Sequence, residues 1–252
     1  MNRRPGIITL TILCVFTVAG ISCNRDKAAP KLSPEQAKMA EANKRSIEAS
    51  KKTTVAKVNG AVVTMYELVR EMNEIAPQYI KPGQEKDPQV DEKVKKEALD
   101  RLIYRELAVQ EALREGMKVG PETIEGGLKK VKADLKSEDA YREKLTKSGI
   151  TEEELKKQIE RNILVEMVTE REIFDKVKID PEQVKKMYAK KRASYRGPAG
   201  QMSFEEARPL IEEELMKPAV NKREDEWVDG LRKAAKIEIT LDQSAKEIHK
   251  VK

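Results

Sequence analysis

Few side chains in this sequence are of a kind that makes or breaks covalent bonds. It holds two cysteines, Cys14 and Cys23, and one histidine, His249. His249 stands in a polar tail, where an idle surface imidazole is expected. Glu106 and Gln110 sit one helical turn apart on an apolar helix face. A carboxyl placed there is either a satisfied structural hydrogen-bonding group or a general acid. The first reading is preferred, because buried polar groups are usually paired and no second titratable group stands beside Glu106 by sequence. There is no Ser-His-Asp set, zinc spacing or glycine-rich phosphate loop, so the expectation is no catalytic residue, no metal and no cofactor. The thiol of Cys23 is the remaining chemistry. It closes an apolar run, and no cysteine follows it.

Asn2-Arg3-Arg4 is a basic start, and Ile7 to Ile21 is apolar apart from threonines and small residues. The run is shorter than the ~20 residues a spanning helix needs. It reads as a removed signal segment, residues 1–23, with Cys23 as the site of lipid attachment. Gly20-Ile21-Ser22-Cys23 resembles a bacterial lipobox, with Gly20 where Leu is usual. An uncleaved N-terminal anchor and an ordinary signal peptide cut elsewhere are the alternatives.

The formal charge is +6 with 37% charged residues of both signs and only 4% aromatics. Lys and Glu alternate, as in Glu152-Glu153-Glu154-Leu155-Lys156-Lys157, which suits exposed helix faces. The expectation is therefore an evenly solvated surface rather than a basic patch, with no nucleic-acid partner.

Residues 24–52 are polar and read as a stalk, with Ser33-Pro34 able to start a short helix. Residues 53–241 read as one domain, and 242–252 as a polar tail. Val55–Val58 and Ala61–Val63 flank Asn59-Gly60, a strong hairpin signal. Thr64-x-x-Glu67, Thr151-x-x-Glu154 and Ser203-x-x-Glu206 have capping-box spacing. A long helix is expected from about Gln89 to Glu115, with Leu99, Leu102, Ile103, Leu107, Val109 and Leu113 on one half. Further helices start at Pro121 and Asp180-Pro181, the latter ending near Tyr195. In the closing helix Pro209 should fit only the first turn, and Pro218 should kink it. Ile237, Ile239 and Leu241 alternate as a last strand, whose natural partner is the Val55–Val63 hairpin. The fold class expected is mainly α, a multi-helix domain with a small β-hairpin and a C-terminal strand.

The order of hairpin, capped helix, Leu99–Ala112 and Gly116-Met117-Lys118-Val119 resembles the N-terminal domain of the SurA-like periplasmic chaperones. Gly149-Ile150-Thr151-Glu152-Glu153-Glu154-Leu155 is similar to that family's next helix start. Ser203–Ile211 and Ala234–Ile239 look like the segments that follow the isomerase domain in SurA, PpiD and PrsA-type proteins. That family commonly carries a parvulin-type prolyl isomerase domain between these parts, whereas Tyr195 to Ser203 leaves room for a loop only. The resemblance thus implies a chaperone of the bacterial envelope, facing the periplasm, that binds unfolded or nascent secreted and outer-membrane polypeptides without catalysis. A prolyl cis-trans isomerase and a structural adaptor lipoprotein in an export complex are the competing readings.

Such a holder needs adaptable apolar surface, and unbranched methionine suits that role. Met65, Tyr66, Met72, Tyr79, Ile80 and Met167 are the candidate client-binding residues, with Met187, Met202 and Met216 behind them. For each, core packing is the competing reading.

Overall fold

The computed structural model describes residues 33–80, 87–135, 137–198 and 200–241. The signal segment with Cys23, most of the loop after Ile80, and the tail with His249 lie outside them. Pro34–Lys52 forms α1, Thr54–Val58 β1, Ala61–Thr64 β2 and Met65–Ile75 α2. Pro88–Arg114 is α3, Pro121–Asp134 α4, Glu138–Ser148 α5 and Glu152–Thr169 α6. Pro181–Lys191 is α7, Arg196–Gly197 β3, Gly200–Gln201 β4, Phe204–Ala234 α8 and Ile237–Ile239 β5. The chain is mainly helical with small antiparallel sheets, as its patterning suggests.

Helix starts are written in the sequence. Thr64, Thr151 and Ser203 each accept from the backbone N–H three residues on, and Glu67, Glu154 and Glu206 reach back to complete capping boxes. Asp87 and Asp180 cap helices whose first residue is proline, where the missing N–H costs nothing. Asn59 and Gly60 both have positive φ, 51° and 89°, as the tight hairpin requires.

The main sheet has the order β2-β1-β5, antiparallel throughout. Ala56 faces Ile239, and Val58 faces Ile237. Asn59 locks this closure. Its N–H donates to the Lys236 carbonyl at 2.8 Å, and its side-chain oxygen accepts from the Lys236 N–H at 2.7 Å. The first and last parts of the domain thereby share one sheet.

Four expectations differ from what is found. The segment read as a stalk is helical from Pro34, as Ser33-Pro34 allows; what differs is that the far end of α1 docks on the domain. There Lys51 Nζ donates to the Gly149 carbonyl at 2.7 Å, and Ile47 packs so close that a Cβ at Gly149 would lie 2.8 Å from it. Leu113 is 56% exposed, because α3 packs its last turns through Val109 and Ala112 instead. α7 stops at Lys191, and a 3-10 turn leads on to Tyr195. Finally, Pro209 stands beyond the first turn of α8, which is helical on both sides of Pro218 as well. Pro209 is its sixth residue, and the carbonyls of Glu205 and Glu214 that lose their donors stand at exposed positions, where water can replace the bond.

The evenly mixed surface is a further expectation that fails locally. From α7 to β4 there are six Lys or Arg and one Glu, because the Lys/Glu alternation seen elsewhere is absent from α7.

Candidate client-binding surface

The interior is divided. One core joins the sheet, α2 and the first half of α3, through Val55, Val58, Leu68, Ile75, Ile103 and Leu241 among others. A second joins the end of α3, α6, the π-helical turn Glu170–Phe174 and the middle of α8, around Ala108, Val168, Val220 and Trp227. A third, of Val184, Tyr195, Ala207 and Ile211, binds α7 to the start of α8. The fourth, of Leu128, Tyr141 and Ile159, binds α4 and α5 to the start of α6. Helix α6 runs between the second and fourth cores, and α8 between the second and third. The apolar run Ile163–Val168 is thus gripped on more than one side, as its composition implies.

Buried carboxylates stitch the frame. Glu71 on α2 meets Arg105 at 3.1 Å and Arg101 at 3.9 Å on α3. Glu172 in the π-helical turn meets Arg223 of α8 at 3.4 Å. Glu106 pairs with Arg161 of α6 and accepts from Gln110 at 2.7 Å. Gln110 in turn donates to the Val58 carbonyl at 3.0 Å and accepts from Asn59 at 2.8 Å. Glu106 is therefore a satisfied structural group joining α3, α6 and the hairpin, which answers the choice its sequence position posed.

The client-binding candidates do not form one patch. Met65, Met72 and Tyr79 are half-buried against the sheet core. The Tyr66 hydroxyl donates to the Ser148 carbonyl at 2.8 Å, while the Tyr79 hydroxyl donates to Glu97 and its ring lies under Lys93. Ile80 is half-buried at the end of its segment. Met167, on α6, is 38% exposed and meets solvent. Met187 and Met202 belong to the third core, whereas Met216 is exposed. Sequence reasoning passed over Val62, Val69, Leu210 and Ile239, which also present apolar surface. Val62 stands next to the buried Val63, and period-2 alternation could have found it, whereas the same alternation puts Ile239 with the core-packed Ile237 and Leu241.

A groove of about 580 Å³ runs between α3 and α8, lined by Lys93, Lys96, Glu97, Asp100, Arg101, Tyr104, Glu224, Asp225, Val228 and Asp229. Tyr104 stands edge-on to Trp227, with ring centroids 6.1 Å apart. Burial raises the Tyr104 hydroxyl above its ordinary pKa, so it remains a neutral hydrogen-bonding group. Burial, helped by the neighbouring Asp225, also raises the Glu224 carboxyl. A carboxyl whose folded pKa is raised penalises the folded state above that pKa, and the penalty fades as pH falls through it. Glu224→Gln should therefore raise the melting temperature at pH 7 by about 1–2 °C, discounted for the open side of the groove. The difference from the parent should shrink near pH 4.5 and below. A lower melting temperature at pH 7 would contradict this account of Glu224.

Among the described residues, no cluster of His, Cys, Asp or Glu is arranged to hold a metal, and no helix is long and apolar enough to cross a membrane.

The model of the SurA-like N-terminal domain matches residues 6–169. The foldase protein PrsA of Clostridium tetani is 28% identical over 265 residues, which cover 98% of this chain and 70% of that protein. The chaperone SurA of Pseudomonas syringae pv. tomato is 22% identical over 138 residues, 54% of this chain and 32% of that protein. That of Cupriavidus metallidurans is 25% identical over 158 residues, 62% and 32%. The chain spans about a third of the length of these two SurA proteins. Among solved structures, one from work describing PEB4 and Cj1289 as SurA-like chaperones of Campylobacter jejuni overlaps 75% of this chain and 99% of its own, at a TM-score of 0.46 and 12% identity. With the family model matched over more than half its length, the chain belongs to the SurA-like N-terminal domain family of chaperones and foldases.

Proposed function

We propose that the protein is a lipid-anchored envelope chaperone, a holdase that binds unfolded secreted or outer-membrane polypeptides without catalysis. The observation that carries this reading is the divided interior of a SurA-like chain. The third and fourth cores hold only four and three buried side chains; α8 carries the third lobe, and the fourth is carried by α6 with the Lys51–Gly149 and Tyr66–Ser148 hydrogen bonds. Lobes with so few buried side chains shift at lower cost than the frame, which lets apolar side chains such as Leu210 and Met216 adapt to different clients. The dense surface charge keeps such an open frame soluble.

Two observations favour a holdase over a prolyl isomerase. The join between α7 and α8 is twelve residues, 192–203, far short of the ~100 residues of an ordinary domain. The buried carboxylates are also engaged in ion pairs. Cys23, at the end of the apolar run, supplies the thiol for the lipid.

The full chain should suppress aggregation of an unfolded client at near-stoichiometric amounts. It should leave unchanged a refolding step limited by X-Pro isomerisation, which takes tens to hundreds of seconds uncatalysed. Cys23→Ser, expressed in a bacterial envelope, should release the protein or leave an unprocessed precursor. Acceleration of the proline-limited step, abolished by a point substitution, would establish the isomerase instead. Tight binding to one folded envelope protein, with no holding of unfolded clients, would establish the adaptor. Normal processing and membrane attachment of Cys23→Ser would refute the lipid anchor.

A further inference from the structure

Basic side chains concentrate on one face of α7 and in the turn just beyond it. From α7 through β4, Lys185, Lys186, Lys190, Lys191, Arg192 and Arg196 stand against Glu182, a net +5 out of the chain's formal +6. Asp180, just before, is engaged in capping α7. At 100° per residue Lys185, Lys186 and Lys190 fall within about 140° of one another. Val184, Met187 and Tyr188 occupy the other side of α7, in the third core with residues of α8. Lys191 turns to Glu214 of α8. Lys186, Lys190 and Arg192 are exposed and have no ion partner among the described residues. Of the neighbouring acids of α8, Glu205 and Glu213 are exposed, and the other three are engaged. Glu206 completes the helix cap, Glu212 meets Arg208 at 2.8 Å, and Glu214 holds Lys191 and the Tyr195 hydroxyl.

We propose that this exposed basic face of α7, with Arg192 and Arg196 beyond it, docks on an anionic lipid surface. Three features favour lipid over other polyanions. The cations on the helix itself are lysines, flexible point charges that follow a fluid surface and that protein interfaces avoid. Tyr188 stacks on Tyr195 and stands edge-on to Phe204 inside the lobe, so these rings offer no platform for nucleic-acid bases. The large apolar side chains exposed in this lobe, Leu210 and Met216, lie on α8 rather than α7, so the basic face has no apolar anchor for a protein partner. Each basic residue near such a surface contributes about five-fold in affinity, and salt screens the attraction. The face is independent of the chaperone reading and of the lipid at Cys23. Together with that lipid it would hold the lobe against the membrane.

The test is amine acetylation of the full chain, mapped by mass spectrometry, on phosphatidylcholine vesicles with and without phosphatidylglycerol. Lys185, Lys186 and Lys190 should be protected several-fold on the anionic vesicles alone. Lys217 and Lys222, exposed on α8, should label equally on both, and high salt should remove the protection. Lys186→Glu with Lys190→Glu and Arg192→Glu should abolish it. These side chains have no partners to lose, so the melting curve should stay unchanged, and Gln in place of Glu serves if it does not. Equal labelling on both vesicles, or protection that survives the triple change, overturns the proposal. Protection by polyglutamate or by an RNA oligonucleotide, with none by phosphatidylglycerol, overturns it in favour of that partner. Aggregation suppression, measured without vesicles, should be the same for parent and variant, so loss of holding and loss of docking are separate results.

Discussion

Truncation after Ala234 is expected to unfold the sheet core rather than trim an end. It removes β5, which pairs with β1 along Ala56–Val58, and Leu241, which is buried in the same core as Val55, Leu68 and Ile103. Burying Leu241 and the half-buried Ile237 contributes about 3–5 kcal/mol. The lost ladder bonds, with the Asn59–Lys236 pair, add about 1–2 kcal/mol. A sum near 5 kcal/mol is comparable with the whole stability of an ordinary domain, about 5–15 kcal/mol. The cut would also leave β1 as an unpaired edge, and the protein should become aggregation-prone. Thermal melts by circular dichroism check this, with truncation after Leu241 as the control that should keep the parent curve. A chain ending at Ala234 that melts like the parent would show that the closing strand does not hold the domain.

This closure was legible in the sequence because its signals are local and redundant. Asn59-Gly60 fixes the turn, the capping boxes fix where α2, α6 and α8 begin, and Ile237, Ile239 and Leu241 alternate with polar residues. The wider role of Asn59 was not legible. An Asn-Gly turn asks only for positive φ, whereas the Asn59 side chain also bonds Lys236 and Gln110, and those partners lie far away in sequence. The Glu106–Gln110 spacing was visible, but its resolution depended on Arg161, which sits on another helix.

The candidate surface was less legible than the fold. Helical periodicity places Met65 and Met72 on a helix without saying that α3 and the sheet cover them. Tyr66 and Tyr79 looked like free amphipathic side chains, yet the Ser148 carbonyl and Glu97 take their hydroxyls. The one-domain reading of residues 53–241 also hid the division of the interior. Along α8, Ala207, Ile211 and Leu215 form one apolar cluster and Val220, Trp227 and Leu231 another, and only tertiary packing assigns them to different cores. The basic lobe went unseen for a different reason. Whole-chain composition averages the cations of α7 with the acids of its neighbours.

Trp227→Ala should break the frame where the others meet. Trp227 is the sole tryptophan, 7% exposed, and it shares a core with α3, α6 and the π-helical turn. Large-to-small changes at such sites cost about 3–5 kcal/mol, and the edge-on contact with Tyr104 contributes about 0.5–1.5 kcal/mol of this kind of loss. For a chain of this size that corresponds to a melting temperature lower by about 10 °C. Trp227→Phe keeps a ring against Tyr104 and should lose less than half as much. The pair also bears on function. If the lobes act through a rigid frame, Trp227→Ala should stop suppressing aggregation at a temperature where Trp227→Phe still does. Equal melting of parent and Trp227→Ala would mean that the second core is not what joins α8 to α3. Normal holding by Trp227→Ala above its own melting temperature would mean that clients are bound by the lobes alone, and the frame would then be dispensable for the activity.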